Sequence, residues 1–214
     1  MNTAKQYSIS EEVFNAISHG VGALLAVIGT TIMVTISALY YTPLTVVSTI
    51  IYGLAMVIMY TMSTLYHAIP FPKAKRIFQM LDHDSIYLLI AGTYTPIMLL
   101  AVKGSMRSAV ILIAVWVIAA VGIILNKISL QRFKKVSVAL YLAMGWAVII
   151  DIHTVVTSLE KNGLITLVAG GLCYTVGVIF YKMKSVKFMH GVWHLFVLAG
   201  SVLHYLCILL FVLK

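Results

Sequence analysis

The chain has 214 residues, of which 62% are hydrophobic and 10% charged, whereas soluble domains usually carry about 25% charged and 45–50% apolar residues. This composition excludes an intrinsically disordered chain and an ordinary soluble domain. A formal net charge of +9 is also found in nucleic-acid-binding proteins, but a mean hydropathy of +1.04 favours a membrane environment. We therefore expect no nucleic-acid partner.

Seven apolar runs follow one another along the chain, each close to the roughly 20 residues that cross a hydrocarbon core of about 30 Å. They cover residues 16–39, 45–66, 85–102, 108–125, 136–156, 164–181 and 192–213. Lipid offers no partner for free backbone groups, so the spanning elements are expected to be helices. The sequence predicts one all-α membrane domain over residues 1–214, a seven-transmembrane helix bundle.

The basic residues predict the orientation of these spans, because cytoplasmic loops are enriched in Lys and Arg. Of the 15 basic residues, eleven fall on the side of the bundle that holds the N-terminus and four on the opposite side. The N-terminus is therefore expected in the cytoplasm. With an odd number of spans, the C-terminus is expected outside the cell membrane.

The few ionisable residues near the spans concentrate at the cytoplasmic boundary. His67 ends the second span, Asp82 comes just before the third, and His190 and His194 open the last. His190 and His194 are four residues apart and so share one helix face. Three imidazoles with a carboxylate or water in the fourth position form the ligand set of a catalytic zinc site. The sequence predicts a zinc ion (Zn2+) held by the three histidines, with Asp82 bound directly or through water.

Each of these boundary residues also has a simpler interpretation, which the sequence leaves open. The histidines could face lipid headgroups or form hydrogen bonds between helices. Ser63, one turn before His67, is predicted to bond Asp82, a histidine ring nitrogen or a developing oxyanion. The alternative for Ser63 is a hydrogen bond to a carbonyl of its own helix.

A second polar group begins the first helix. Glu12, Asn15 and His19 lie on one side of that helix at its cytoplasmic end, and we expect them to form hydrogen bonds that support the zinc ligands. Ser8 and Glu11 have the spacing of a capping box, so helix initiation is the alternative explanation for this polarity.

Other features lie away from this boundary. For His204, near mid-membrane, a structural hydrogen bond between helices is favoured over substrate positioning. Asp151 and His153, in the outer part of the fifth span, are expected to pair with each other or with Tyr and Thr neighbours. Gly170 and Gly177 in the sixth span allow close helix approach or contacts in a homo-oligomer.

Four sequence blocks carry a resemblance to a known family. They are EEVFNAISHGVG in the first span, STLYH in the second, LDHDSIYLLIAGTYTP in the third and HGVWHLFVLAGSVLHY in the last. Over nearly its whole length the chain resembles the hemolysin III family of bacterial plasma-membrane proteins, which is related to the adiponectin (adipoQ) and progestin receptors. The resemblance implies zinc-binding histidines at His67, His190 and His194, a site aspartate at Asp82 and a site serine at Ser63.

The resemblance implies more than one activity. The wider superfamily is associated with zinc-dependent hydrolysis of lipid amides or related bonds, whereas the bacterial name refers to lysis of red cells by pore formation. Our hypothesis is a zinc-dependent hydrolase of an amide or ester bond in a membrane lipid, with Asp82 and Ser63 as catalytic residues. One alternative is a pore-forming cytolysin, although these apolar spans lack the polar face that would line a water-filled pore. The other is a receptor-like membrane protein with structural zinc.

Overall fold

The computed structural model describes residues 7–102 and 104–213, and the regular structure in these ranges is entirely helical. The helices are α1 (Ile9–Tyr40), α2 (Pro43–Ala68), α3 (Pro72–Pro96), α4 (Met106–Gly145), α5 (Ile152–Ser158), α6 (Lys161–Lys182) and α7 (Met189–Cys207). Short π-helical segments continue α3 through Ile97–Ala101 and α7 through Ile208–Val212, and a 3-10 turn, Ala147–Asp151, joins α4 to α5. Lys5, Lys103 and Lys214, which contribute to the orientation prediction, lie outside the described residues.

Six helical segments of the described chain are long and apolar enough to cross a membrane, where the sequence predicts seven spans. The difference arises because the predicted fourth and fifth spans both lie within one segment, Met106–Ser158. The largely polar stretch between those two spans, 126–135, is helical except at Ser129 and forms no separate loop. The fold is therefore an all-helical membrane protein with six such segments.

The fourth segment changes direction at Ser129, whose extended backbone (φ −166°, ψ 99°) interrupts α4. Asn126 and Ser137 lie on either side of this residue in the sequence, and the Ser137 hydroxyl donates to the side-chain oxygen of Asn126 at 2.9 Å. Eleven residues of straight helix would instead span about 16 Å. The Asn126 amide also donates to Asp84 on α3 at 2.8 Å. The two parts of α4 therefore form a helical hairpin that is fastened to α3.

Helix α3 begins well before the predicted third span, which starts at residue 85. Pro72 occupies its first turn, where the fixed φ of proline favours helix initiation and the missing N–H costs nothing. As a result Asp82, His83 and Asp84 lie inside the helix rather than at its start, and all three are buried. The aspartate predicted for the site thus comes from a rigid helical position.

The surface of the bundle is apolar and part of its interior is polar. Leu24, Ile113 and Ile150 are among the many large apolar side chains that are exposed, whereas His19 and His194 are buried. A soluble protein seldom exposes so much contiguous apolar surface. Lipid is the solvent that suits this distribution, because polar side chains in a membrane turn towards the bundle interior.

Two polar residues outside the predicted zinc site have structural partners. His204 donates through Nε2 to the carbonyl of Leu167 on α6 at 3.1 Å, and a methyl group on Gly170 would overlap its ring. Asp151 accepts hydrogen bonds from Ser105 at 3.0 Å and from Thr154 at 2.7 Å. His204 therefore links α6 to α7, and Asp151 fastens the start of α5.

Candidate metal centre

Three histidine side chains converge where α2 ends and α7 begins. One ring nitrogen from each of His67, His190 and His194 lies within 4.8 Å of the other two, and the Nε2 atoms of His67 and His190 are 3.2 Å apart. Tetrahedral zinc with Zn–N bonds of about 2.0–2.1 Å would place its ligand nitrogens about 3.3 Å apart. The spacing of the His67 and His190 nitrogens matches this value, and the His194 nitrogen lies within 4.8 Å of both.

The first helix holds the start of α7 in position. Phe188 comes just before α7 with a left-handed backbone (φ 62°), which is uncommon for a residue other than glycine. Its backbone N–H donates to the Glu11 carboxylate at 3.1 Å. Glu11 also forms the capping box with Ser8, so the beginnings of α1 and α7 are fixed together close to His190.

The second ring nitrogens of two histidines are engaged with acceptors on α1. His67 Nδ1 lies 2.6 Å from the Glu12 carboxylate, and His194 Nδ1 lies 3.2 Å from the backbone carbonyl of Asn15. Because a carboxylate and a carbonyl only accept, each Nδ1 carries the proton in a neutral ring and each Nε2 offers a lone pair. Both rings therefore have the tautomer that a metal ligand requires.

His194 carries a buried nitrogen atom that a cation in the cluster would satisfy. Its side chain is completely buried, and its Nε2 has no hydrogen-bond partner among the described residues. A buried polar atom without a partner is unfavourable by about 1–3 kcal/mol. A metal ion among the three rings would satisfy this nitrogen, so the donor set fits zinc.

Two of the residues predicted to support the ligands, Glu12 and Asn15, form hydrogen bonds with them. Besides His67, Glu12 contacts Lys75, whose ammonium group is 2.8 Å from the carboxylate and also donates to the carbonyl of Tyr66 at 3.0 Å. Asn15 acts through its backbone, as described above. Glu12 is therefore held by the start of α3 while it orients the His67 ring.

Ser63 and His19 form a second buried pair behind His194. The Ser63 hydroxyl is 2.7 Å from His19 Nδ1, and the His19 ring stacks on the His194 ring with centroids 3.6 Å apart. Both side chains are buried. The serine thus contacts a histidine that supports a ligand rather than one of the three converging rings.

Asp82 lies outside the group of three converging nitrogens. Its side chain is buried, with one carboxylate oxygen 3.7 Å from His83 Nδ1. Asp82 and His190 both line the same cavity. The structure thus places the aspartate in the wall of the cavity that His190 also lines.

A largely apolar cavity leads from this cluster into the bundle. It has about 1160 Å³ of empty space including its opening, and residues of α3, α4, α6 and α7 line it. His190 lines it near the start of α7, and His204 lines it farther along the same helix. His190 and His204 are 14 residues apart on α7, which corresponds to about 21 Å. The cavity therefore presents a largely apolar surface that extends along α7 away from His190.

Three contacts at the site involve residues that sequence reasoning missed. The Ser18 hydroxyl is 3.0 Å from His194 Nδ1, Lys75 contacts Glu12, and the Tyr7 ring stacks on His190 with centroids 5.0 Å apart. A tyrosine hydroxyl is already protonated at neutral pH, and burial raises the pKa of Tyr7 further. Of these three residues, only Ser18 could have been predicted from the sequence, because it follows Asn15 by nearly one helical turn and so lies on the same side of α1.

Replacing Glu12 by glutamine is expected to weaken zinc binding by about 10–100-fold, the usual effect of losing a partner that orients a histidine ligand. The change removes the negative charge that holds the His67 ring but keeps the size of the side chain. Competition with a chelator of known affinity measures the loss. Glu160→Gln, the same change at the N-cap of α6, is the matched control, and equal affinities of the two variants would contradict the assigned contact.

Comparison with known proteins places the chain in a family. A family model described as "Haemolysin-III related" matches residues 7–205. The chain is 40% identical over 205 residues to "Hemolysin-3" of Bacillus cereus, covering 96% of this chain and 93% of the relative. It is also 40% identical over 208 residues to "Hemolysin-3 homolog" of Bacillus subtilis (strain 168), covering 97% of each.

A mammalian relative extends this likeness. "Monocyte to macrophage differentiation factor" of Homo sapiens is 33% identical over 165 residues, covering 74% of this chain and 67% of the relative. The resemblance predicted from the four sequence blocks is confirmed. With its membrane-length helices, the chain is a multi-pass cell-membrane protein that belongs to the haemolysin-III-related family.

Proposed function

We propose that this protein is a zinc-dependent hydrolase of an amide or ester bond in a membrane lipid. The observation that carries the proposal is the cluster of His67, His190 and His194 at one end of an apolar cavity whose wall includes Asp82. A zinc ion bound by three imidazoles supplies a Lewis acid and lowers the pKa of a coordinated water to about 7.

The side chains of the protein supply the remaining chemistry. Asp82, buried at the cavity wall, accepts a proton from the attacking water as general base and returns it to the leaving group. Glu12 and the Asn15 carbonyl keep the rings of His67 and His194 in the correct tautomer. Ser63 is already engaged with His19, so it supports the site by holding that ring against His194.

The cavity favours a lipid over a soluble substrate. Apolar side chains such as Leu89 and Val178 line most of it, and burying an alkyl chain there gains about 0.8 kcal/mol for each methylene group. His190, near the start of α7, and Asp82, on α3, both belong to the cavity wall. A lipid bound in this way would place the bond next to its headgroup beside the histidines.

The proposal includes a topology with seven crossings and the histidine cluster at the cytoplasmic side. The segment Met106–Ser158 has 53 residues, which as a straight helix would measure about 80 Å, far more than the hydrocarbon core. The reversal at Ser129 supports two crossings within it, and the distribution of basic residues supports a cytoplasmic N-terminus and an external C-terminus.

A cysteine introduced at Ser129, with Cys173 and Cys207 replaced by serine, tests this topology. We expect a membrane-impermeant thiol reagent to label it from the cytoplasmic side of sealed vesicles. Labelling from the opposite side alone would contradict the proposed orientation, and protection from both sides would contradict the double crossing.

The hydrolase proposal is tested with purified protein in detergent, prepared with zinc or stripped by a chelator. Both forms are incubated with lipid amides and lipid esters, and released fatty acid is measured by mass spectrometry. We expect turnover with the zinc-loaded protein, loss after stripping and recovery when zinc is returned. If no lipid is turned over and zinc removal only lowers the thermal stability, the zinc is structural and the protein is receptor-like.

The names of the two bacterial relatives favour a second candidate, a cytolysin that forms pores. This activity would release dye from liposomes made of ether lipids, which contain no amide or ester bond. A His67→Ala variant would retain such leakage, because a pore does not need the metal. Leakage that persists in this variant without any hydrolysis would favour the cytolysin.

A further inference from the structure

We propose that Tyr7 is a further positioning residue of the metal centre, whose ring holds the His190 side chain in the orientation that binds a metal ion. The inference deepens the proposed function and rests on its zinc site, but it does not require that the protein hydrolyses a lipid. The effect of Tyr7 is therefore to be measured on metal binding.

His190 differs from the other two histidines of the cluster in how its ring is held. His67 and His194 each have an acceptor on α1 at Nδ1, which is the usual arrangement for a histidine that binds a metal. The His190 ring contacts His67 through Nε2, the ligand atom, and its Nδ1 forms no hydrogen bond with any described residue. The His190 ring therefore lacks the kind of partner that orients the other two.

The ring of Tyr7 packs against His190 instead. Its centroid is 5.0 Å from that of His190 with an interplanar angle of 29°, a stacked arrangement, and it lies 5.9 Å from the centroid of His67, edge to face. Trp193 and Tyr181 also border His190, but at tilted angles of 42° and 45°. In the described part of the chain, Tyr7 is thus the aromatic ring of another element that lies along a face of the His190 imidazole.

The start of α1 fixes Tyr7 at this position. Tyr7 directly precedes Ser8, the N-cap of α1, which forms the capping box with Glu11. The Glu11 carboxylate also accepts a hydrogen bond from the backbone N–H of Phe188, two residues before His190. The segments that carry Tyr7 and His190 are therefore fastened to one carboxylate, which keeps the two rings together.

This ring contact favours the metal-bound state in two ways. It limits the rotation of the His190 side chain before a metal ion arrives, so less conformational entropy is lost on binding. A metal ion also withdraws electron density from the imidazole, and an electron-poor ring is attracted to the face of a phenol ring as a cation is. The contact therefore becomes stronger when the metal binds, whereas a contact that only supports the fold would stay the same.

The probes are zinc and cobalt(II), whose visible absorption depends on the number and geometry of its ligands. The purified protein in detergent is titrated with cobalt, and its zinc affinity is measured by competition with a chelator. We expect Tyr7→Ala to bind both metals about two- to tenfold more weakly than the wild-type protein, the factor to which the free energy of one aromatic pair corresponds. We also expect the cobalt spectrum to change, because the His190 ring is no longer held in place.

Two further variants show whether the ring itself is responsible. Tyr7→Phe keeps the ring and loses only the hydroxyl group, so we expect it to match the wild-type protein in both measurements. Tyr40→Ala, which removes an exposed ring at the other end of α1, is the matched control and should also behave as wild type. Metal binding as weak in Tyr7→Phe as in Tyr7→Ala would assign the effect to the hydroxyl group and overturn the proposal. Unchanged affinity and spectrum in Tyr7→Ala would overturn it too, even where the variant has a lower thermal stability.

The outcomes also separate this inference from the proposed hydrolase. Weaker metal binding by Tyr7→Ala, in a protein that turns over no lipid, would support the inference and contradict the hydrolase. Turnover by a wild-type protein whose Tyr7→Ala variant binds metal equally well would contradict the inference alone. A wild-type protein that binds neither zinc nor cobalt would contradict both.

Discussion

Changing His194 to alanine is expected to abolish zinc binding. The wild-type protein purified in the presence of zinc should hold about one zinc ion per chain, and the variant should hold none. His194 is completely buried, and its Nε2 has no other partner among the described residues. Removing it leaves two imidazoles, fewer than the three protein ligands of a catalytic zinc site. Elemental mass spectrometry of the purified proteins measures the metal content.

The same variant is expected to lose the stabilisation that zinc gives to the folded state. A ligand that binds the folded state raises its stability by RT ln(1 + [L]/Kd), about 2.7 kcal/mol at a hundredfold excess over Kd. Added zinc should therefore raise the Tm of the wild-type protein and leave that of the variant unchanged. His153→Ala, at an exposed position, is the control and should behave as wild type. A wild-type protein without metal, or a variant with a full complement of zinc, would refute the site.

Asp82→Asn is expected to reduce hydrolysis by at least about 100-fold, the lower end of the usual contribution of general acid–base catalysis. Asparagine has nearly the same size but cannot take up the proton. Because Asp82 lies outside the group of three converging nitrogens, the zinc content of the variant should remain near one per chain. The turnover rate and the zinc content are measured on the same preparation.

Asp84→Asn is the matched control for this change. Asp84 is buried on the same helix and accepts a hydrogen bond from Asn126, which the side-chain oxygen of an asparagine also accepts. We expect its turnover to stay within a few-fold of wild type. Loss of zinc in Asp82→Asn would make that residue a metal ligand, and unchanged turnover would remove it from the mechanism.

The three-histidine cluster was accessible from the sequence, whereas most of its surroundings were not. The four-residue spacing of His190 and His194 and the position of His67 at a span end suffice to bring these side chains to one depth. The carbonyl of Asn15 has no sequence signature, because every residue carries one. The contact of Lys75 with Glu12 depends on the rotation of two helices, which local sequence does not determine.

The interruption of helix α4 is a feature of the fold that likewise could not be predicted from the local sequence. Hydropathy separates the runs 108–125 and 136–156 because the residues between them are polar. It does not show that these polar residues remain helical and reverse direction at a single position, Ser129. That geometry depends on the bonds that Asn126 makes to Ser137 and Asp84, and their formation requires the folded bundle.

The contacts of α1 with both α2 and α7 have a consequence for how the protein is assembled. His67 and His194 are 127 residues apart along the chain, yet each forms a hydrogen bond with a residue of α1. During synthesis, the first two helices enter the bilayer long before the last, so a complete set of metal ligands does not exist until α7 is inserted. Contacts between distant parts of a chain form slowly, because closing a long loop costs entropy. Metal incorporation would then be a late event in biogenesis and would mark chains whose insertion is finished.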